Sequence, residues 1–348
     1  MAQEKQNFKA KRRICNWLGC LLVLVLLAVG LSWPTKYYLE MPGEAISVGQ
    51  FVKSSRPKPN NLYLVTVSET SAPASVLQYL WSYTQKYTTR VPSSELLGGA
   101  TNSQYQELQN WYMETSQQNA IYCAAKRAGL KPQLKYQGVY VMQVQKHSSF
   151  RGKLQVGDTV LGANGHQFKS TEEMMAYLQR QPLHARVKIK VLREGRARYF
   201  TGKIVKVAGT GKPGIGIQLV EHVKVATKPK LKIDAGAIGG PSAGLMFTLT
   251  SYEAFTGKKL AAGHKIAGTG TITPNGKVGI IGGVDKKVVA ANRIGAEVFF
   301  APTDTTGVKK KASNYVVAQR TARELHSKMK IVPVATFSDV LSYLEKNY

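Results

Sequence analysis

The sequence predicts an α+β protein standing behind one N-terminal apolar helix. Three observations carry that expectation. A twenty-residue uncharged stretch, Ile14–Trp33, follows a basic tail. Residues 133–207 alternate short β-rich runs with glycine turns around one short helical segment. Residues 228–348 mix strand-like runs with helices whose apolar side chains recur every three or four positions. The 348 residues allow two or three domains with a sizeable core. Hydrophobic residues at 43% and charged residues at 20% exclude wholesale disorder and a polytopic membrane protein. Of the three cysteines, Cys15 and Cys20 lie in the apolar stretch and Cys123 stands alone. That excludes a disulfide framework and a structural zinc cluster, so no metal is expected.

The first element sets the compartment. Met1–Arg13 carries Lys5, Lys9, Lys11, Arg12 and Arg13 against Glu4 alone. Twenty helical residues at 1.5 Å each span a hydrocarbon core of about 30 Å. Trp17 and Trp33 stand near the two ends, where indoles favour the headgroup zone. The apolar region of a signal peptide is usually shorter than this one, so an uncleaved anchor is expected and not a signal peptide. The positive-inside rule leaves the tail cytoplasmic and everything after Pro34 outside, in a single-pass protein of the cell membrane.

Beyond the anchor, 43 basic residues face 19 acidic ones, within a formal net charge of +28 for the chain. The lysines are scattered and no basic block is interleaved with aromatics, so no nucleic-acid partner is expected. A cationic surface suited to an anionic cell envelope explains the charge.

Leu62–Val67 alternates and reads as a strand. Ser71–Gln85 and Ser103–Arg127 read as helices, the second with Tyr105, Leu108, Trp111, Ile121 and Ala125 as a packing stripe. Gly138-Val-Tyr-Val-Met-Gln-Val144 is then a strand opening on glycine. Gly157-Asp158 is a tight turn, Asn164-Gly165 a hairpin signal, and Ser170-Thr-Glu-Glu173 a capping box before a short helix. Arg186–Leu192 and Ala197–Val205 are strands around Glu194-Gly195. This order, over about 75 residues, resembles a PDZ domain. Such domains take peptides as an added edge strand. The resemblance implies that Gly138, Val139, Tyr140 and Val141 form the receiving loop and edge; a module that only packs on its neighbour is the alternative. Lys206–Gly214 reads as a linker or turn and Ile215–Val225 as strand-like.

Chemistry concentrates after Lys228. Leu231–Asp234 reads as a strand end, followed by the glycine loop Ala235–Gly240, Pro241, Ser242, Ala243 and a helix from Gly244 through Phe255. Pro241 suits a first-turn position, Leu245, Leu249 and Tyr252 give a buried face, and Gly257 suits the C-terminal cap. A serine at a helix start under a glycine loop can be served by backbone N–H groups that stabilise an oxyanion; an ordinary serine near an N-cap is the bland alternative.

Gly240-Pro-Ser-Ala-Gly244-Leu-Met, then Thr269-Gly-Thr-Ile-Thr273-Pro, then Ile281-Gly-Gly283-Val-Asp-Lys-Lys287 through Gly295, resembles the proteolytic domain of Lon over about 55 residues, and Val298–Pro302 fits the strand expected next. With the anchor and the PDZ-like segment, the whole chain resembles the secreted-face, SepM/YlbL type of Lon-like protease. The resemblance implies Ser242 as nucleophile, Lys287 as general base and Thr269 as the hydroxyl that supports the lysine, with Gly240, Pro241 and Ala243 forming the oxyanion loop. Lys286 is the register alternative. Where the family often has an Asp before Gly-Pro-Ser and a Glu after Thr-Gly, this chain has Gly239 and Thr271.

A serine needs a base within about 3 Å to take its proton. A lysine serves only when neutral, its pKa brought from about 10.4 toward roughly 7–8 by desolvation. Val284, Val288 and Val289 supply apolar surroundings, whereas Lys277, Lys286 and the histidines, His222 and His264 among them, read as solvated surface residues.

None of the Gly-Lys pairs completes Gly-x4-Gly-Lys-Ser/Thr, so neither ATP nor any other cofactor is expected. The expectation is an ATP-independent serine endopeptidase that trims extended peptides or membrane-protein segments presented by the PDZ-like module. Its segments are a tail over 1–13, a transmembrane helix over 14–33, an N-terminal part of the protease region over 34–130, a PDZ-like domain over 131–207 and a Lon-like proteolytic domain over 208–348. Hexamers are a habit of the Lon family, which extends the expectation of a homo-oligomer to this chain; the sequence itself leaves the oligomeric state open. Two rivals remain. Gly240–Gly244 also fits a nucleophile elbow, with Asp304 and His326 following in the chain order of an α/β-hydrolase esterase. A peptide-binding PDZ protein with an inactive protease fold is the other.

Overall fold

Helix α1 (Ala2–Ser32) forms through the basic tail and the apolar stretch. The computed structural model describes residues 2–54, 61–303 and 313–348, without the side chains of 2–15 and 20. Ile14, Cys15 and Cys20 of the expected span therefore lie outside the described side chains. Those from Trp17 to Leu27 that are described are exposed. Among the described residues no helix is long and apolar enough to cross a membrane.

The chain divides into two units, residues 1–43 with 67–99 and residues 44–66 with 100–348. Strands β1 (Tyr37–Ser47), β2 (Val52–Lys53) and β3 (Leu62–Glu69) come first. The helix expected over 71–85 contracts to α2 (Val76–Trp81) and a 3-10 turn, Ser82–Thr84. The cause is local: Ser75 accepts from Gln78 N while the Gln78 side chain accepts from Ser75 N, fixing the start beyond Pro73. In the first unit, β4 (Thr89–Pro92) pairs antiparallel with β1, Tyr37 opposite Pro92, and α3 (Ser93–Leu97) ends at left-handed Gly98.

The second unit contains everything that follows. Helix α4 (Asn102–Arg127) starts at a Thr101/Gln104 capping box and buries Trp111, Met113, Ser116, Ala120, Ile121 and Ala124. An antiparallel sheet follows, built from β5 (Gln133–Val144), β6 (Thr159–Ala163), β7 (His166–Gln167), β8 (Arg186–Arg193) and β9 (Arg196–Lys203), with helix α5 (Thr171–Gln179) between β7 and β8 in sequence. Asn164 and Gly165, at φ 50° and 84°, make the expected hairpin turn. Asp158 is fully buried and takes the Arg193 guanidinium as a fork, at 2.6 and 2.7 Å. Val139, Val141, Phe150, Val160, Met174 and Ile189 fill this module's core.

The expected linker over 206–214 is a small hairpin, β10 (Val205–Lys206) with β11 (Pro213–Gly214). Strand β12 (Ile217–Ala226) then joins the antiparallel sheet, whose order is β12-β5-β6-β8-β9. It pairs with β5 from Ile217 opposite Val144 to Ala226 opposite Gln133. This overturns the peptide-receiving edge expected at Gly138, Val139, Tyr140 and Val141. Both sides of β5 are taken, by β6 and β12, and Val139 and Val141 are buried in the core.

The C-terminal region is a mixed α/β layer where a plain α+β arrangement was expected. Its elements are β13 (Lys232–Ile233), α6 (Gly244–Thr256), β14 (Ile266–Gly268), β15 (Thr271–Ile272), β16 (Val278–Gly279), α7 (Val284–Arg293), β17 (Val298–Pro302), α8 (Asn314–Glu324), β18 (Lys330–Val334) and α9 (Phe337–Asn347). Strands β18, β17, β14 and β3 lie side by side and parallel, with α7 and α8 as crossovers. Helix α6 is buried on every side from Gly244 to Phe255, as a helix apolar all round must be. Gly257, left-handed at φ 78°, ends it as expected. Thr336 caps α9 by accepting from Asp339 N, while the Asp339 carboxylate accepts from Thr336 N at 2.8 Å. Thr336→Ala is expected to lower stability by about 1 kcal/mol in urea unfolding.

Candidate active site

Ser242 is placed by three neighbours of different origin. The first is its own loop: left-handed Gly240 (φ 82°) donates its N–H to Gln109 O of α4 at 2.9 Å. The second is Ser116, also on α4, whose hydroxyl donates to Pro241 O at 2.9 Å. The third is the segment leaving β14, where Gly270 N donates to Ser242 O at 2.9 Å and Gly270 O accepts from Leu245 N at 3.0 Å. Helix α6 begins at Gly244 with Ala243 as its cap, so Pro241 precedes the first turn that was expected to contain it. A Cβ on Gly244 would meet Ser116 Oγ at 2.7 Å and Ile272 Cγ2 at 2.8 Å, so α4 and the β15 segment approach as closely as glycine allows. Ser242 itself is half-buried.

Thr269 extends β14 by one residue, its N–H on Phe300 O. It is fully buried. Its hydroxyl donates to Ser242 O at 3.1 Å and accepts from Lys287 Nζ at 3.3 Å. One hydroxyl thus ties the serine residue to the lysine that the sequence paired with it. Lys287 stands in the first turns of α7, 3% exposed, with Val284, Val288 and Val289 buried on the same helix. Such surroundings disfavour an ammonium relative to a neutral amine. Lys286 was expected to be solvated, yet it too is 3% exposed, its amine 3.4 Å from Asp285. Burial does not separate the two lysines; the bond to Thr269 does, and it belongs to Lys287.

Of the expected oxyanion loop, Gly240 has its N–H committed to Gln109 O, which removes it as a donor. The open end of α6 at Ala243 is the part of that loop next to the serine. A cleft of about 370 Å³ opens beside the loop, lined by Gln106, Asn110 and Gln117 of α4 and by Asp234–Ile238.

His222, read from sequence as a surface residue, is only 8% exposed. Its Nδ1 lies 3.0 Å from Thr159 Oγ1 and its Nε2 3.1 Å from Glu114 of α4. The bond from His222 holds the Glu114 carboxyl below the usual carboxylate range. His264 is surface-exposed as expected, with Nδ1 2.7 Å from Glu297. His326 is exposed in the turn after α8, and Asp304 lies outside the described residues. Among the described residues no group of His, Cys, Asp and Glu could hold a metal.

Sequence reasoning missed Gln109, Ser116 and Asn119, the last donating to Ile272 O at 3.1 Å. They are polar residues on a helix, and only their recurrence at i, i+7 and i+10, outside the apolar stripe, sets them apart.

Residues 126–204 match a family model described as PDZ domain, and residues 217–346 one described as Lon protease (S16) C-terminal proteolytic domain. Among curated proteins, the Lon protease of Malacoplasma penetrans is 37% identical over 142 residues, covering 38% of this chain and 17% of that protein. The Lon protease of Metamycoplasma arthritidis is 34% identical over 120 residues, covering 34% and 13%. The chain thus spans under a fifth of the length of these relatives. Among solved structures, the PDZ domain of an SdrC-like protein from Listeria monocytogenes is 33% identical, covering 24% of this chain and 90% of that one at a TM-score of 0.23. By these matches the chain is similar to a PDZ domain over 126–204 and to a Lon-type proteolytic domain over 217–346.

Proposed function

We propose that the chain is a membrane-anchored, ATP-independent serine endopeptidase that uses Ser242 and Lys287 as a catalytic dyad. The observation that carries this reading is the buried chain from Lys287 Nζ through Thr269 Oγ1 to Ser242 O. In the reaction, neutral Lys287 takes the proton from Ser242 Oγ as that oxygen attacks the substrate carbonyl. Backbone N–H groups at the start of α6, Ala243 foremost, stabilise the oxyanion. The lysine ammonium then protonates the leaving amine. Water, deprotonated by the same lysine, releases the acyl group from the serine. Thr269 orients the amine throughout.

An extended peptide would lie in the cleft between α4 and Asp234–Ile238, the segment that runs into the serine loop in sequence. The PDZ domain supports recruitment of peptide or protein substrates. With β5 enclosed, the side of β12 away from β5 is the edge to which a peptide strand would add. The exposed apolar side chains between Trp17 and Leu27 support the anchor, with the basic tail cytoplasmic and the catalytic domain outside. The absence of a Gly-x4-Gly-Lys-Ser/Thr sequence supports limited processing without ATP. Assembly into a homo-oligomer is part of the same proposal, by likeness to Lon.

The test is cleavage of extended peptides by the full chain, followed by mass spectrometry, beside Ser242→Ala and His326→Ala. Silence of Ser242→Ala with normal cutting by His326→Ala is the expected result. The reverse pattern would replace the dyad with a hydrolase triad. Binding without cleavage by the wild type would make the chain a peptide-binding protein.

A further inference from the structure

Helix α4 touches the two machines of this protein with opposite faces. At about 100° per residue, positions 107, 111 and 114 share one face of the helix, and positions 109 and 116 share another roughly half a turn away. The first face meets the PDZ sheet. Tyr140 of β5 donates its hydroxyl to Glu107 O at 3.0 Å. The Trp111 ring stacks on Tyr140 at 4.0 Å and meets His222 edge-on at 5.1 Å. Glu114 takes His222 Nε2 at 3.1 Å. The second face meets the serine loop, through Gln109 O to Gly240 N and Ser116 Oγ to Pro241 O. Gly239 is pressed against the same face, since a Cβ there would fall 2.9 Å from Gln109 Cβ.

The Glu114 carboxylate only accepts, so His222 Nε2 donates to it, while Nδ1 shares a hydrogen bond with the Thr159 hydroxyl. The ring is thereby fixed across β6, β12 and α4. Strand β12 is the outermost strand of the sheet, so whatever moves it moves the ring.

We propose that the His222–Glu114 contact is a positioning clasp: through α4, the outer strand of the PDZ sheet sets the geometry of the Ser242 loop. The proposal rests on the serine reading above, and makes His222 a positioning residue over the whole length of sequence between β12 and α4. It also gives a peptide bound at β12 a physical route to the cleavage rate.

The experiment uses the full chain and a short fluorogenic peptide, with His222→Ala, His222→Gln, Ser116→Ala and the double variant His222→Ala/Ser116→Ala. Glutamine can still donate to Glu114 and accept from Thr159. His222→Ala is expected to lower kcat about tenfold with little change in KM, and His222→Gln to recover most of it. The double variant should fall well short of the product of the two single losses, because both act on one loop. In parallel, amide exchange of residues 235–243 should quicken in His222→Ala and not in His222→Gln. Unchanged kcat, a fully multiplicative double variant or unchanged exchange would each overturn the clasp. If His222→Ala does not fold, Thr159→Val, which takes the hydroxyl away from His222 Nδ1, replaces it in the cycle with Ser116→Ala. Retained cleavage by Ser242→Ala would sink the serine reading, and the exchange measurement would still decide the clasp.

Discussion

Lys287→Arg is expected to abolish peptide cleavage as fully as Lys287→Ala, a loss of roughly 10⁴-fold or more in kcat when a dyad member is removed. Arginine keeps much of the length and a donor for Thr269, but a guanidinium does not give up its proton in proteins and cannot act as a base. A residue that merely filled the space between α7 and Thr269 would tolerate the exchange. Lys286→Met removes the neighbouring buried amine without touching Thr269 and is expected to retain most of the cleavage. Both variants should melt as cooperatively as the wild type. If Lys287→Arg cleaves and Lys286→Met does not, the base has been assigned to the wrong lysine. A substitution at a third residue completes the set: Thr269→Val removes the acceptor 3.3 Å from Lys287 Nζ and leaves the amine unoriented.

The parts of this molecule that sequence reasoning reached are those whose cause is local. Helix α6 is announced by its apolar run and stopped by Gly257, and the Asn164-Gly165 turn follows from what left-handed backbone requires. The order of three short motifs pairs Ser242, Thr269 and Lys287 in the sequence, and the fold places Ser242 O and Lys287 Nζ on the Thr269 hydroxyl. What escaped depends on partners far away in sequence. Alternation marks Gly138–Val144 as a strand but says nothing about its neighbours, and here β12 arrives from beyond the whole module to cover the edge. His222 and Lys286 read as surface because polar residues usually are. Burial of His222 becomes affordable only with Glu114, 108 residues earlier, and Thr159, 63 residues earlier. The α4 residues that hold the serine loop failed for the same reason: Gln109 and Ser116 are ordinary helix polar residues until the loop is docked on them.

Glu253→Gln is expected to stabilise the protein at pH 8 and to make no difference below about pH 4.5. Glu253 sits near the end of α6, 4% exposed, and its Oε1 accepts from Leu260 N at 2.6 Å. Burial raises its pKa from 4.5 to about 7, against the opposing pull of the backbone N–H groups of Leu260 and Ala261. Below the unfolded value both states hold the proton and the carboxyl contributes no difference. Between 4.5 and about 7 the unfolded chain gives up its proton while the folded one keeps it, so stability falls as pH rises. Above about 7 the folded state carries a buried carboxylate, and the penalty levels off at about 3 kcal/mol. Glutamine keeps an oxygen for Leu260 and has no charge to bury, so it removes this penalty. Urea unfolding of both proteins from pH 4 to pH 8.5 should therefore show two curves that meet at the acid end and diverge toward neutrality. A constant gap would mean that Glu253 matters by shape alone. Since Ser242 precedes the other end of the same helix, more than two turns from Glu253, peptide cleavage at 25 °C should survive the exchange while the upper temperature limit of the activity rises.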